Sequence, residues 1–452
     1  GHANIVKLLL DHADRKIECN ERDNHGQTAL MLACNEGHKD IVQLLLKNSD
    51  GKIEINDRDN DGETALMKAC GEGHKDVVKL LLEHSDRIDL DEKSDGITQE
   101  TALMKAVLFG HKDVVELLLD PSVNIDLNAR DEDGTTVFIL ACMEGHKEIV
   151  KLFLNSSGRN IDLNAKDENG WTGFMAACNE GHANIVKLLL DHADRKIEFN
   201  ERDSYGQTAL SIACRQGNKD IVKLLLKHSD RIDLNARLNY AKTAFMLACS
   251  RGQKDVVELL LEPLVDIELN ARDENGKTAL ILACNEGKKD VVKLLLDRSE
   301  GNIELNIQET NGETAFIIAC QEGHKDIVKL FLDPSVKNID FNAIEQNGKT
   351  AFTLACKNGF KDIVKLLLEY SSVGNIELNT KDKDGFTPFM FACQKGHKDV
   401  VKLLLKHSNL LDLNFPDSFN VSRKVEKLIW THFESISHIS DGEQPSKRRK
   451  IT

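Results

Sequence analysis

The chain has 452 residues, 41% hydrophobic and 29% charged, and 59 Lys and Arg against 74 Asp and Glu leave a formal charge of −15. That acidic balance works against broad binding to nucleic acid or to an anionic membrane, both of which need positive surface. No apolar run approaches the roughly 18 residues of a spanning helix, and the charged stretch GHANIVKLLLDHADRK at the N-terminus lacks the pattern of a signal peptide.

Self-similarity dominates everything else. Residues 1–30 return at 181–210 with 27 of 30 positions identical, the exceptions being Cys19/Phe199, Asn24/Ser204 and His25/Tyr205. Gly1 falls at a Gly-His pair that elsewhere stands in mid-repeat, so the first unit reads as a half-repeat without its first helix. A truncation is expected there, with more repeats upstream and Leu8 and Leu9 short of cover. A Thr-Ala-Leu triplet or close variant then recurs at Thr28, Thr64, Thr101, Thr136, Thr172, Thr208, Thr243, Thr278, Thr314, Thr350 and Thr387, in steps of 35 to 37 residues.

Each unit predicts the same elements. Thr28 suits the N-cap of a helix through Ala29, Leu30, Leu32 and Ala33. Gly37 ends it, because glycine tolerates left-handed C-cap geometry. A second helix carries Ile41, Val42, Leu44, Leu45 and Leu46 on one broad apolar face. Ile53 and Ile55 alternate with Glu54 and Asn56, a short strand-like segment of an extended loop, and Asp59-Asn60-Asp61-Gly62 predicts a turn. One unit lengthens its tip, at residues 93–100. Such a unit cannot bury its apolar face alone, so units must stack into a solenoid.

The pattern resembles the ankyrin repeat. Gly-x-Thr-Pro-Leu-His-x-Ala, then Gly-His and Val-x-x-Leu-Leu, is matched in register about eleven times over residues 1 to about 414. Two departures stand out. Only Thr387-Pro388 keeps the proline, and residues such as Met31, Met67, Ile139 and Ser211 replace the histidine. The period also exceeds the family's roughly 33 residues, the extra ones falling between the second helix and the turn, as at residues 11–16. The resemblance implies an all-α ankyrin-repeat solenoid, with a helix-turn-helix and a hairpin loop per unit and about eleven repeats after the half-repeat. The array is expected to span residues 1–414.

Ten of the eleven cysteines share one repeat position, from Cys34 and Cys70 to Cys393; Cys19 is the exception. Equivalent positions on stacked helices lie about 8–10 Å apart, beyond the roughly 7 Å that a disulfide bridges. Buried free thiols in a reducing compartment are expected. The pairs Cys34/His38, Cys70/His74, Cys142/His146 and Cys178/His182 have a spacing that suggests metal, but a glycine separates each pair and two ligands fall short of zinc's usual four. The resemblance gives this histidine a role in the turn between the helices. Asp57-Arg58-Asp59-Asn60-Asp61-Gly62 copies half a calcium loop, yet Lys68 stands where a bidentate carboxylate belongs. Neither a nucleophile–base set nor a phosphate-binding loop stands out. No catalytic residue, cofactor or metal is expected.

Binding information is expected at the hairpin tips, the exposed ends of the first helices and the concave inner-helix face. Trp171, Tyr205 and Tyr240 lie at tips of three consecutive repeats, and Arg215 and Arg251 break an acidic row at the helix ends. Trp, Tyr and Arg are enriched in binding hot spots, so these five residues are the candidate protein-binding set; the plainer reading is that the aromatic rings cover neighbouring loops.

After Asn414 the repeat stops at Phe415-Pro416. Val421, Val425, Leu428, Ile429, Phe433 and Ile436 recur at helical spacing, which predicts a capping helix within residues 415–436. Residues 437–452 are polar and are expected to form a disordered basic tail. There Lys447-Arg448-Arg449-Lys450 resembles a nuclear-import signal and would engage an import receptor.

Two functions follow. The first is a non-catalytic scaffold or adaptor for a protein partner. The alternative is a targeting arm for a larger enzyme whose catalytic domain or subunit lies outside this chain. A monomer in the cytoplasm, the nucleus or both is expected, without direct nucleic-acid or membrane binding.

Overall fold

In the computed structural model, residues 2–11, 18–48, 53–96, 98–156, 158–192, 196–298, 302–416 and 419–437 are described. Helices of about the predicted length follow each capping threonine. Ala29–Asn35 and Lys39–Asn48 form one pair, Ala65–Gly71 and Lys75–Leu82 the next, and so on to Pro388–Lys395 and Lys398–Lys406. In several repeats the residue that replaces the family's histidine completes the cap. The Met31 amide donates to Thr28 Oγ1 at 3.3 Å while the Thr28 amide points at Met31 Sδ, 3.4 Å away. In another repeat Ser211 Oγ accepts the Thr208 amide at 2.9 Å. Either side chain closes a reciprocal capping box, which satisfies two otherwise orphaned donors.

The chain forms two compact units, Gly1–Asn239 and Tyr240–Thr452. Within the first, first helices pack on first helices of successive repeats, from Ala29–Asn35 to Ala209–Gln216. Within the second the same series runs from Ala244–Arg251 to Pro388–Lys395. Each second helix packs beside its first helix and buries its Ile/Val–Leu stripe, as Val77, Val78 and Leu81 show. This is an all-α ankyrin-type solenoid. Among the described residues no helix is long and apolar enough to cross a membrane.

Two polar ladders bind each repeat to the next. The histidine does more than shape its own turn. His74 Nε2 donates to the Asn35 carbonyl of the preceding repeat at 2.9 Å. His111, His182 and His397 do the same to Gly71, Met143 and Lys357, at 2.7, 2.8 and 2.9 Å. The ring lies against the preceding glycine. Gly37 has φ +67°, and a Cβ there would stand 2.6 Å from His74 Nδ1, so both conformation and space demand glycine.

The second ladder runs along the extended loops. The strand-like segment 53–56 pairs with no strand; among the described residues the one β-type bridge is Lys93 to Thr101, at the base of the lengthened tip. Ile53 and Ile55 are buried as their alternation implies. Their neighbours' backbone groups are met by asparagine side chains rather than by a sheet. Asn56 donates to the Arg87 carbonyl at 2.9 Å and accepts the Asp89 amide at 3.0 Å. Asn128 repeats this with Asn160 and Asp162, at 2.7 and 2.8 Å, and Asn164 and Asn200 follow. In the second unit Asn270, Asn306, Asn342 and Asn379 continue the pattern.

At the far end the helix Arg423–Ser437 packs on Lys398–Lys406 and buries Val425 and Ile429. Its approach reuses the repeat's own contacts. The Ser422 amide donates to the Cys393 carbonyl at 3.1 Å, and Ser422 Oγ lies where a Cβ on Gly396 would collide, the place histidine takes elsewhere. Phe415 stacks on Phe419 at 5.1 Å and meets Phe389 at 5.4 Å, a ring cluster beneath the segment that leads to this helix. The basic residues Lys447, Arg448, Arg449 and Lys450, and the tail expected around them, lie outside the described residues.

One ladder position is defective. Asp91 stands where other repeats have asparagine; it accepts the Asp126 amide at 2.8 Å, but a carboxylate cannot donate to the next loop's carbonyl. Desolvation and the nearby Asp126 and Asp89 carboxylates push its pKa up. Asp91→Asn restores the missing donor. It should stabilise the chain by about 0.5–1 kcal/mol, read as a higher urea midpoint with an unchanged slope.

Candidate functional site

Most of the described hairpin tips are built around one acidic residue; in the tip that carries Tyr240, Leu238 stands at that position and Asn239–Ala241 form a short 3-10 turn. Asp167 Oδ1 accepts the Trp171 amide at 2.7 Å, and the Asp167 amide donates to the Trp171 carbonyl at 3.0 Å. Asp59, Asp203, Asp273 and Asp382 fold their tips in the same way. Successive tips are then joined through backbone. The Glu168 amide donates to the Asp133 carbonyl at 2.9 Å and the Ser204 amide to the Asn169 carbonyl at 2.8 Å. In the second unit the Glu274 amide reaches the Tyr240 carbonyl at 3.0 Å, and the Thr310 amide the Asn275 carbonyl at 2.9 Å. Backbone, with a carboxylate at most tips, therefore holds them, which leaves the side chains at their apices available.

The candidate binding residues use that freedom unequally. Tyr205 is 66% exposed in the first unit and Tyr240 is 68% exposed in the second. Tyr240 takes a left-handed backbone, φ +61°, which aims the side chain differently from an ordinary turn residue. Trp171 is half-buried, and it stands one residue before its capping threonine, whereas Tyr205 and Tyr240 stand three before theirs. The indole is therefore out of register with the two phenols. Arg215 is half-buried and Arg251 exposed, each in the last turn of a first helix.

The sulfur and metal readings resolve on geometry. The ten repeat-position cysteines are buried and free. Burial pushes thiols such as Cys70 and Cys178 far above the ordinary value, so they are poor nucleophiles. Among the described residues no group of three or more His, Cys, Asp or Glu is placed to hold a metal. In the calcium-like stretch, Asp59 is occupied by the Asp61 and Glu63 amides at 3.0 and 2.8 Å and by the Lys68 ammonium at 2.7 Å.

One feature was not anticipated from the sequence: a half-buried chain of charge on the first unit. Lys68 bridges Asp59 and Glu63, and Lys105 bridges Glu63 and Glu100 of its own repeat, the last at 3.2 Å. Desolvation raises Asp59 and Glu63, but hydrogen bonds and the two ammoniums outweigh it, and both carboxyls fall below their ordinary values. The same partners hold Lys68 and Lys105 above theirs against desolvation. Its sequence signal is the lysine where other repeats carry Leu32, Leu140 or Ile212. In the second unit Glu313 occupies the place of Glu63, but Ile318 and Leu354 stand where the lysines would be. Desolvation, with Glu309 and Glu345 nearby, pushes Glu313 up instead.

Depressed carboxyls give stability that is present above their unfolded pKa and lost as pH falls through the folded one; raised lysines lose theirs as pH climbs through the folded value above 10.5. Lys105→Met should therefore cost about 1–3 kcal/mol at neutral pH, since it strips Glu63 of a partner. Glu63→Gln combined with Lys105→Met should cost less than the sum of the single changes. Urea titrations at neutral pH and below pH 4 test both, the penalty shrinking at the acid end.

Comparison with curated proteins found no match. A family model described as ankyrin repeats (3 copies) matches residues 1–59, 51–131, 123–203, 195–273, 245–343 and 335–417. Those six matches leave no gap from residue 1 to residue 417, across the same Thr-capped helix pairs, and the chain belongs to the ankyrin repeat family.

Proposed function

We propose that this chain is a non-catalytic scaffold or adaptor that holds a protein partner on its hairpin tips and first-helix ends. Ankyrin repeats are generic protein–protein interaction modules, and the module fills most of the chain. The observation that carries the reading is the division of labour at the tips. Asp203 and backbone fold the tip of Tyr205, backbone joins the tip of Tyr240 to the next through the Glu274 amide, and both phenols stay largely in solvent. Large exposed phenols with no stacking duty bring contact area at little rotamer cost.

In the first unit the contact residues are Trp171, Tyr205 and Arg215; in the second they are Tyr240 and Arg251. Trp171 is the least clean of the five, because it is half-buried. The residues Lys447, Arg448, Arg449 and Lys450 serve import into the nucleus, so that the chain works in both cytoplasm and nucleus.

Two measurements test this. With a partner captured by the intact array, Tyr205→Ala and Tyr240→Ala should each weaken binding about tenfold or more by titration calorimetry, with unfolding midpoints unchanged. Glu322→Ala, a rim charge on a first-helix end, should change little. Wild-type affinity in both tyrosine variants, with loss in Glu322→Ala, would move the recognition surface to the acidic helix ends. Separately, alanine at all four basic tail positions should abolish nuclear accumulation of a fluorescent fusion.

A further inference from the structure

The last two described helices differ from the rest of the chain in charge. Lys398–Lys406 and Arg423–Ser437 together carry six Lys or Arg against three carboxylates, a local excess of positive charge in a protein whose formal charge is −15. Between them lies a cavity of about 550 Å³, within the usual range for a binding pocket of ~300–1,000 Å³. Leu403, Leu405 and Leu428 form its apolar floor, and Lys361, Lys402 and Lys406 stand around it with Asp399 as the one carboxylate in its wall.

One observation sets this groove apart from the joints between repeats, and a second describes its charge. In the second unit each second helix is flanked by the next repeat's second helix. Here the flanking element is the terminal helix, which buries Val425 and Ile429 but leaves Leu428 half-buried and Trp430 48% exposed. At some joints the leading lysine of a second helix reaches the next repeat's aspartate, as in Lys325–Asp362 at 2.8 Å and Lys289–Asp326 at 3.6 Å. Lys361, Lys402 and Lys406 form no ion pair among the described residues. Three exposed ammoniums thus surround apolar surface, of which Leu403 and Leu428 remain partly open to water while Leu405 is buried.

We propose that this groove is a docking site, separate from the hairpin tips, for a short acidic segment of a partner protein that brings one or two bulky apolar side chains. The leucine floor calls for the apolar anchors, and the lysines call for flanking carboxylates. A polyanion such as nucleic acid would satisfy the lysines but leave the leucines wet, and the strongly acidic remainder of the chain would repel it. A wholly apolar segment would leave the charge complementarity unused.

The test uses the full chain and a displayed library of short random peptides, selected on wild type and counter-selected on Lys402→Glu/Lys406→Glu. Both lysines are exposed, so the variant should fold, and circular dichroism with thermal melting checks that it does. The expected peptides combine Asp or Glu with Leu, Ile or Phe. Their affinity should fall about tenfold or more in the lysine variant, and also when the peptide's apolar residue becomes serine. It should survive Tyr205→Ala and Tyr240→Ala, which separates this site from the tips. Peptides without acidic residues, peptides that bind the variant as well as wild type, or no selected peptides would overturn the proposal. So would lysine-dependent binding of phosphatidylserine vesicles or a DNA duplex in place of peptide. Lysine-dependent self-association in sedimentation would overturn it in favour of a second copy of the chain.

Discussion

A pair of short helices in this chain has more apolar surface than the pair can cover, and the neighbouring repeat has to cover the rest. The same nine residues, ANIVKLLLD, show this directly. As Ala183–Asp191 they are flanked by helices on both sides, and Ile185 and Leu189 are 0% exposed. As Ala3–Asp11 they pack, among the described helices, against Lys39–Asn48 of the following repeat, and Ile5 and Leu9 are 55% and 54% exposed. Identical sequence and identical helix give opposite burial, so burial in this fold belongs to the joint between repeats and not to the repeat.

The polar groups obey the same rule. Histidine at the head of a second helix gives its Nε2–H to a carbonyl one repeat back, and the loop asparagine exchanges two hydrogen bonds one repeat forward. Both side chains satisfy backbone groups that a helix end or an extended loop would otherwise leave to water. Where histidine is replaced, the substitute keeps the position: Asn218 donates to the Cys178 carbonyl at 2.8 Å, and Phe360 lays its ring against Gly323. With stacking carried by the interior, the ladders and the backbone of the tips, the tip side chains are released for recognition. The same argument runs in reverse for the lysine chain on the first unit, where Lys68 and Lys105 are drawn into the stack and Glu63 with them.

Much of this was legible in the sequence because it repeats. Eleven capping threonines fixed the register, the glycines marked the helix ends, and the shared cysteine position implied burial. The alternation of Ile53 and Ile55 implied their burial but not the asparagine ladder, because alternation reports which side chains point inward and not what their backbone bonds to. Histidine's partner was hidden because a donor 39 residues from its acceptor leaves no local pattern. The register difference between Trp171 and the tyrosines was visible in the spacing to Thr172, Thr208 and Thr243. The Lys68–Glu63–Lys105 chain depends on side chains of neighbouring repeats meeting, and only the odd lysine in an apolar column pointed to it. The phenylalanine cluster at Phe389, Phe415 and Phe419 joins the repeat to a segment outside its pattern, where periodicity says nothing.

Native-state hydrogen exchange on the full chain, comparing residues 3–11 with residues 183–191, addresses the central claim most directly, since the two segments share every residue. If joints between repeats supply the stability, the amides of 183–191 should be protected at least about a hundredfold more than those of 3–11. Equal protection would mean that the helices carry their own stability, and would contradict the account.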